Sequence, residues 1–300
     1  SHIFMALGMW EDVVAANETA VRVQNSMRQE KGMQARHWGH YNQWLLYGLL
    51  QQGRYGEALE LLKAAYAELQ ADGKAPVDRM ELSPDGSLVG SVVKMWARYI
   101  IETRQWDSEV AGWSFNSGDA FDPNLNITFI RAMQSAYSGL AAQTEQYISQ
   151  FRKLRYELEE ILSRQEEQAP TDLLYLQRLG VMELELQAAR EYARGEMGQA
   201  ARIVGEASAL EGEMPFSFGP PYVDLPSAEY QGDLLLDSRK YAEAAGAYEL
   251  QLQRSRQKAH ALMGLVKAQE ALGKESEANY IRAKLDRIRS GADEAVKQPR

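Results

Sequence analysis

Cysteine is absent from this 300-residue chain. Disulfide staples, thiolate metal sites and a cysteine nucleophile are therefore excluded, while the compartment stays open. Basic runs are missing too. No five consecutive Lys or Arg occur, and the formal net charge is −9. Duplex nucleic acid and anionic membrane surfaces both call for a basic face, so neither is expected as a partner. Long apolar runs are also lacking. Leu45–Leu46–Tyr47–Gly48–Leu49–Leu50 falls far short of the roughly 18 residues of a membrane span. Proline is sparse, nine residues gathered in a few places, which leaves room for long helices between the clusters.

What is present is self-similarity. A small or polar residue, an aromatic and an acidic or polar pair before Ala or Val recur along the chain. The phrase reads Gly8–Met9–Trp10–Glu11–Asp12–Val13, Gly53–Arg54–Tyr55–Gly56–Glu57–Ala58 and Arg104–Gln105–Trp106–Asp107. It returns as Gly195–Glu196–Met197–Gly198–Gln199–Ala200, Arg239–Lys240–Tyr241–Ala242–Glu243–Ala244 and Gly273–Lys274–Glu275–Ser276–Glu277–Ala278. A further copy fits over Asn126 to Leu154. Apolar residues at helical spacing flank the phrase: Leu45, Leu46, Leu49 and Leu50 before the second copy, Leu59, Leu61, Leu62 and Ala65 after it. That spacing predicts two amphipathic helices joined by a tight turn. Glycine supplies the left-handed backbone that ends the first helix.

Ala244 and Ala278 stand 34 residues apart, as do Arg239 and Gly273. That is the tetratricopeptide period, and the chain resembles a tetratricopeptide repeat protein over nearly its whole length. The best-matched copy carries Gly232, Leu235, Tyr241, Ala244 and Tyr248 at the family's marked places, but Arg256 where the family has proline. The fold this implies is all-α: an irregular solenoid of about seven helix-turn-helix units. Insertions spread the earlier units near Ala71–Ser87, Trp113–Asn124, Ser163–Thr171 and Glu211–Pro226, each rich in loop-forming residues. A single helical domain over 1–289 is expected, with sub-arrays 1–210 and 226–289 around a Pro/Gly linker at 211–225. A flexible tail is expected at 290–300. With Gly8 as a turn glycine, most of the first unit's first helix is missing. That predicts further sequence before Ser1 and an uncovered apolar end open to self-association.

A narrower resemblance is to a group of longer bacterial tetratricopeptide proteins. It is carried by Ser1–His2–Ile3–Phe4, Leu7–Gly8–Met9–Trp10, Ala15–Ala16–Asn17, His40 with Trp44–Leu45–Leu46–Tyr47, and Phe218–Gly219–Pro220–Pro221. It implies the C-terminal half of such a protein, and a bacterial cytoplasmic or periplasmic setting. Where that group carries an Asp, this chain has Gln43.

In the repeat, places 2, 5, 9, 12 and 13 of each first helix share one face and line the groove. They give His2, His40, Gln43, Tyr47, Lys94, Arg98, Glu185, Tyr192, Glu229, Asp233, His260 and Lys267 as binding candidates. The groove then reads as basic around Lys94 and Arg98 and acidic around Glu229, Asp233 and Asp237. Such a surface suits a protein or peptide partner with separated charge blocks. No Gly-x-Ser-x-Gly elbow, phosphate-loop Gly-Lys-Ser/Thr or His-Glu-x-x-His occurs, so no catalytic residues and no cofactor are expected. The expected function is a protein- or peptide-binding scaffold without chemistry of its own. The alternative is a metal- or small-ligand-binding protein, or an enzyme completed upstream, using groove histidines, with His2 and His40 as metal candidates. Trp38, Trp44, Trp96, Trp106 and Trp113 fall at core spacing.

Overall fold

A computed structural model describes residues 1–72, 77–167 and 169–297. Residues 73–76 of the first expected insertion, 168 of the third and 298–300 of the expected tail lie outside these. The described residues form fourteen α-helices and no strand. They are α1 (His2–Leu7), α2 (Trp10–Glu30), α3 (His40–Gln51), α4 (Tyr55–Asp72), α5 (Leu88–Thr103), α6 (Phe121–Tyr137) and α7 (Ala141–Ser163). Then come α8 (Pro170–Ala193), α9 (Met197–Gly212), α10 (Ser227–Asp237), α11 (Tyr241–Arg254), α12 (Ala259–Ala271), α13 (Glu275–Ile288) and α14 (Glu294–Lys297). Helices next to one another in sequence pack together, as in an all-α solenoid.

The turns carry the repeat. Gly8, Gly53, Gly139, Gly195, Arg239 and Gly273 all adopt left-handed backbone, with φ between 59° and 82°. At each, two backbone bonds close the preceding helix. At Gly273 they run from Gly273 N to Glu270 O and from Lys274 N to Gln269 O, both 2.9 Å. This pair of hydrogen bonds satisfies carbonyls that a helix end otherwise leaves open. Arg239 takes the same conformation without glycine's freedom, a strain of about 1–2 kcal/mol that the surrounding packing has to exceed.

The third unit departs from the expected pattern. Arg104 is left-handed, at φ 55°, but no second α-helix follows; only a 3₁₀ turn forms, at Val110–Gly112. The stretch after Trp106 is dense in Asp, Ser, Asn and Gly, whose side chains compete for the backbone or leave it too free for a helix. Other helices satisfy its carbonyls instead. Trp96 Nε1 donates to Val110 O at 2.7 Å, Gln134 to Trp106 O at 2.9 Å, and Arg131 to Ala111 O and Trp113 O.

The array also bends back onto itself, which no repeat spacing announces. Trp10 Nε1 donates to Gln257 O at 2.8 Å, and Gln257 Nε2 to Leu7 O at 3.2 Å. Asp293, in the segment read as a tail, accepts from Gly56 N at 2.8 Å and donates through its backbone to Gly53 O. The first two helix pairs thus rest on the last two, and the faces of α3, α5, α8, α10 and α12 share one interior.

Tyr248 shows how tightly these helices meet. Its ring is fully buried between Gly232 of α10 and Gly264 of α12. A Cβ at Gly264 would lie 2.2 Å from the ring. Gly264→Ala is expected to destabilise by roughly 1–3 kcal/mol through overpacking. Gly246→Ala on α11, where a Cβ meets nothing, should stabilise by up to about 1 kcal/mol. Urea unfolding of the two variants should give shifts of opposite sign.

Candidate functional site

The inner faces of α3, α5, α8, α10 and α12 carry most of the sequence-predicted groove residues. The structure buries them. Gln43, Tyr47, Lys94, Arg98, Glu185 and Glu229 are all at most 7% exposed. Lys94 and Arg98 are covered by the chain's own 213–226 segment, whose Val223, Asp224 and Leu225 are themselves buried.

Asp224 is the centre of a first cluster. Its carboxylate pairs with Lys94, with Arg98 Nε at 2.9 Å and with Arg178 at 3.8 Å. Lys94 and Arg98 lie four residues apart on α5, one turn on a single face, and Arg178 comes from α8. Arg98 also donates to Gln43 Oε1 at 3.1 Å, and Gln43 Nε2 donates to Asp85 and Ser91. Arg178 is steadied by Asp122 at 3.2 Å and Asn126 at 2.7 Å. Burial and the neighbouring Arg178 push the Lys94 ammonium down to about 8, against the pull of Asp224. Burial opposes charge on Asp224, yet Lys94, Arg98 and Arg178 hold its carboxyl down to about 2.

A second cluster joins the two ends of the array. Lys258, fully buried ahead of α12, pairs with Glu102 at 2.5 Å and Glu229 at 3.5 Å. Burial works against this ammonium, but Glu102 and Glu229 raise it above the usual lysine range. Gln51 bridges, donating to Glu102 at 2.9 Å and accepting from Ala259 N at 3.0 Å. Arg104 reaches Glu229 at 2.9 Å and Asp233 at 3.0 Å. Asp233 also meets His260 Nε2 at 2.9 Å and accepts from the Tyr248 hydroxyl at 2.7 Å. Tyr47 packs edge-on to Trp10, with the Lys258 ammonium 5.7 Å from its ring centre. The basic and acidic stretches expected to face a partner are thus neutralised from within.

A third group is two carboxyls on one serine. Glu185 Oε1 accepts from Ser227 Oγ, and Glu211 Oε2 from Ser227 N, both at 2.7 Å. Burial, then the neighbouring Glu211, pushes the Glu185 carboxyl well above the usual range. Burial raises Glu211 likewise. Both sit where α10 begins, holding the end of the 213–226 segment.

The remaining candidates lie apart. His2 and His40 come together, ring centres 6.3 Å apart, each against Trp44, and His40 Nδ1 meets Asp85 at 3.0 Å. Among the described residues no group of three His, Cys, Asp or Glu is placed to hold a metal ion. Tyr192 packs on Tyr137, and Lys267 is exposed. No helix of the described residues is long and apolar enough to cross a membrane. Asp224, Arg178, Asp122, Lys258 and Glu211 belong to these clusters and were not among the predicted residues. Only the Val-Asp-Leu run in a Pro/Gly-rich loop hinted at one of them.

The carboxyls set opposite pH dependences. Asp224 titrates lower folded than unfolded, so its contribution is present above its ordinary value of 3.8 and is lost as pH falls towards 2. Glu185 titrates higher folded than unfolded, so above its ordinary value of 4.5 the folded state holds the extra proton and stability falls as pH rises. Glu185→Gln removes that loss. Its melting temperature should match the parent near pH 4.5 and exceed it by a margin that grows up to pH 8. A constant offset across that range would refute a neutral, buried Glu185. Comparison of the chain with protein-family models, curated proteins and solved structures finds no match.

Proposed function

We propose that the chain is a peptide-binding scaffold of the tetratricopeptide kind, whose inner face recognises a carboxylate carried between two aliphatic residues. The observation that carries this reading is the seating of residues 223–225. Asp224 enters a socket of three cations, and Val223 and Leu225 flank it, each 1% exposed. Ala97 and Ile101 of α5, Phe129 of α6 and Met182 of α8 line the same place. The space left over is about 10 Å³, room for one water at most. The segment has no regular structure of its own there, so it lies on the helices as a docked peptide would.

In this reading the segment is a resident occupant, and a partner presents the same chemistry in trans. Binding then requires the resident to leave. The chain binds and runs no reaction. The left-handed turns and the 34-residue step from Tyr241 to Glu275 support the tetratricopeptide architecture.

Loosening the resident segment tests the proposal. Asp224→Asn removes its charge. Val223→Ala with Leu225→Ala removes its apolar grip without stranding the three cations, and serves where the first variant fails to fold. A labelled Pro-Tyr-Val-Asp-Leu-Pro peptide, followed by fluorescence anisotropy, should bind a folded variant at least about tenfold more tightly than the parent, a difference of about 1.4 kcal/mol. The same peptide with Asn for Asp should bind neither. Folded variants that ignore both peptides would sink the proposal.

A further inference from the structure

Among the described residues nothing covers one face of helix α2. Trp10, Val13, Val14 and Asn17 bury its inner side. On the other side Ala16, Ala20, Val23 and Met27 line an open groove of about 540 Å³, with Met33 and Tyr41 along its edge. Val23 is 51% exposed, Met27 53%, Met33 43% and Tyr41 43%. An amphipathic surface helix normally turns polar residues outward. Four large apolar side chains in one groove, half in water, mark an interaction surface rather than scattered exposure.

The order of residues says what fits it. At spacings of four, four, three, four and four, the stripe reads Asp12, Ala16, Ala20, Val23, Met27, Lys31. These positions fall within an arc of about 100°. Reversed and laid on itself about a point between residues 21 and 22, the stripe is its own complement. Asp12 meets Lys31 of the other copy, Ala16 meets Met27, and Ala20 meets Val23. Each apolar layer sets a small side chain against a larger one, and both ends set opposite charges together. Asp12 and Lys31 are exposed, and neither makes an ion pair within the described residues. A parallel pairing would instead stack Asp12 on Asp12, Lys31 on Lys31 and Met27 on Met27. The antiparallel arrangement also opposes the two helix dipoles.

We infer that α2 is a two-fold interface through which two copies of this chain pair antiparallel. Such an interface is isologous, the same patch serving both partners. The helix is 21 residues long, about 30 Å. Even with Met33 and Tyr41 added, that places the contact at the small end of stable interfaces, so the dimer is reversible and concentration-dependent. The inference does not rest on the inner-face reading, because the two surfaces share no residue.

Sedimentation equilibrium of the 300-residue chain tests it. The expected result is a monomer–dimer equilibrium that Val23→Glu weakens at least tenfold. Asp12→Lys and Lys31→Asp should each weaken it, and the two together should restore it. Because the chain has no cysteine, an equimolar mixture of chains carrying Ala20→Cys and chains carrying Val23→Cys gives a second reading in which no disulfide can close within one chain. Mild oxidation should link two chains, whereas chains carrying Ala20→Cys mixed with chains carrying Met27→Cys should link few. These positions are exposed, or half-buried at Ala20, so folding stays intact, which circular dichroism verifies. A monomer at every concentration overturns the inference and leaves the groove to a different chain. A dimer indifferent to Val23→Glu, or one not restored by the charge exchange, overturns it as well.

Discussion

Three cations, Lys94, Arg98 and Arg178, converge in the interior from two helices, and the Asp224 carboxylate is the charge they share. Like charges held this close in a poorly hydrated place repel strongly. Without a carboxylate there, from the resident segment or from a ligand, Lys94 and Arg98 would be left buried without a counter-charge, while Arg178 would keep Asp122. Breaking a buried pair by removing one partner costs about 3–5 kcal/mol, a large share of what any domain has to spare. The 213–226 segment is therefore more than a connection between α9 and α10: its Asp224 sets the charge balance around which the inner faces of α5, α6 and α8 are packed.

The same logic runs through the second cluster, with the signs exchanged. Glu102, Glu229 and Asp233 would repel one another if Lys258 and Arg104 did not stand between them. These partners are far apart in the chain: Glu102 and Arg104 lie in the third unit, Lys258 and His260 in the last. An open solenoid has no means of bringing them together. The back-folding fixed by Trp10, Gln257 and Asp293 does. Closure and charge pairing thus go together: the contacts that fold the chain back also bring Lys258 to Glu102.

The turns were legible because their demand is local. A left-handed residue ending a helix favours glycine, and Gly8, Gly53, Gly195 and Gly273 answer that demand in the amino-acid sequence. Arg104 and Arg239 lack glycine's freedom but were found from the spacing of the aromatic that follows. The 3₁₀ replacement after Arg104 was foreshadowed only by its Asp and Ser content, which the repeat pattern overrode. Gln43, Tyr47, Lys94, Arg98, Glu185 and Glu229 share an interior because a period of 3.6 fixes which side chains share a side, whereas Lys267 is exposed. Periodicity does not say what lies opposite. Whether Lys94 and Arg98 face water or Asp224 depends on a loop with no period at all, some 126 residues away.

That distance explains why two kinds of surface need separate treatment. The inner face is apolar and ionic at once, and Lys94, Arg98, Arg178 and Lys258 on it are already paired; a ligand there must replace contacts rather than add them. Its affinity is then the difference between two similar interactions, which favours selectivity for the flanking aliphatic residues over raw strength. The α2 face has the opposite character. None of the described residues covers it, so pairing there adds burial without displacing them, and its charged ends fix direction rather than strength. A chain built this way can vary what it holds inside without altering how copies meet outside, because α2 meets the inner clusters only through Trp10 and the helix packing behind it.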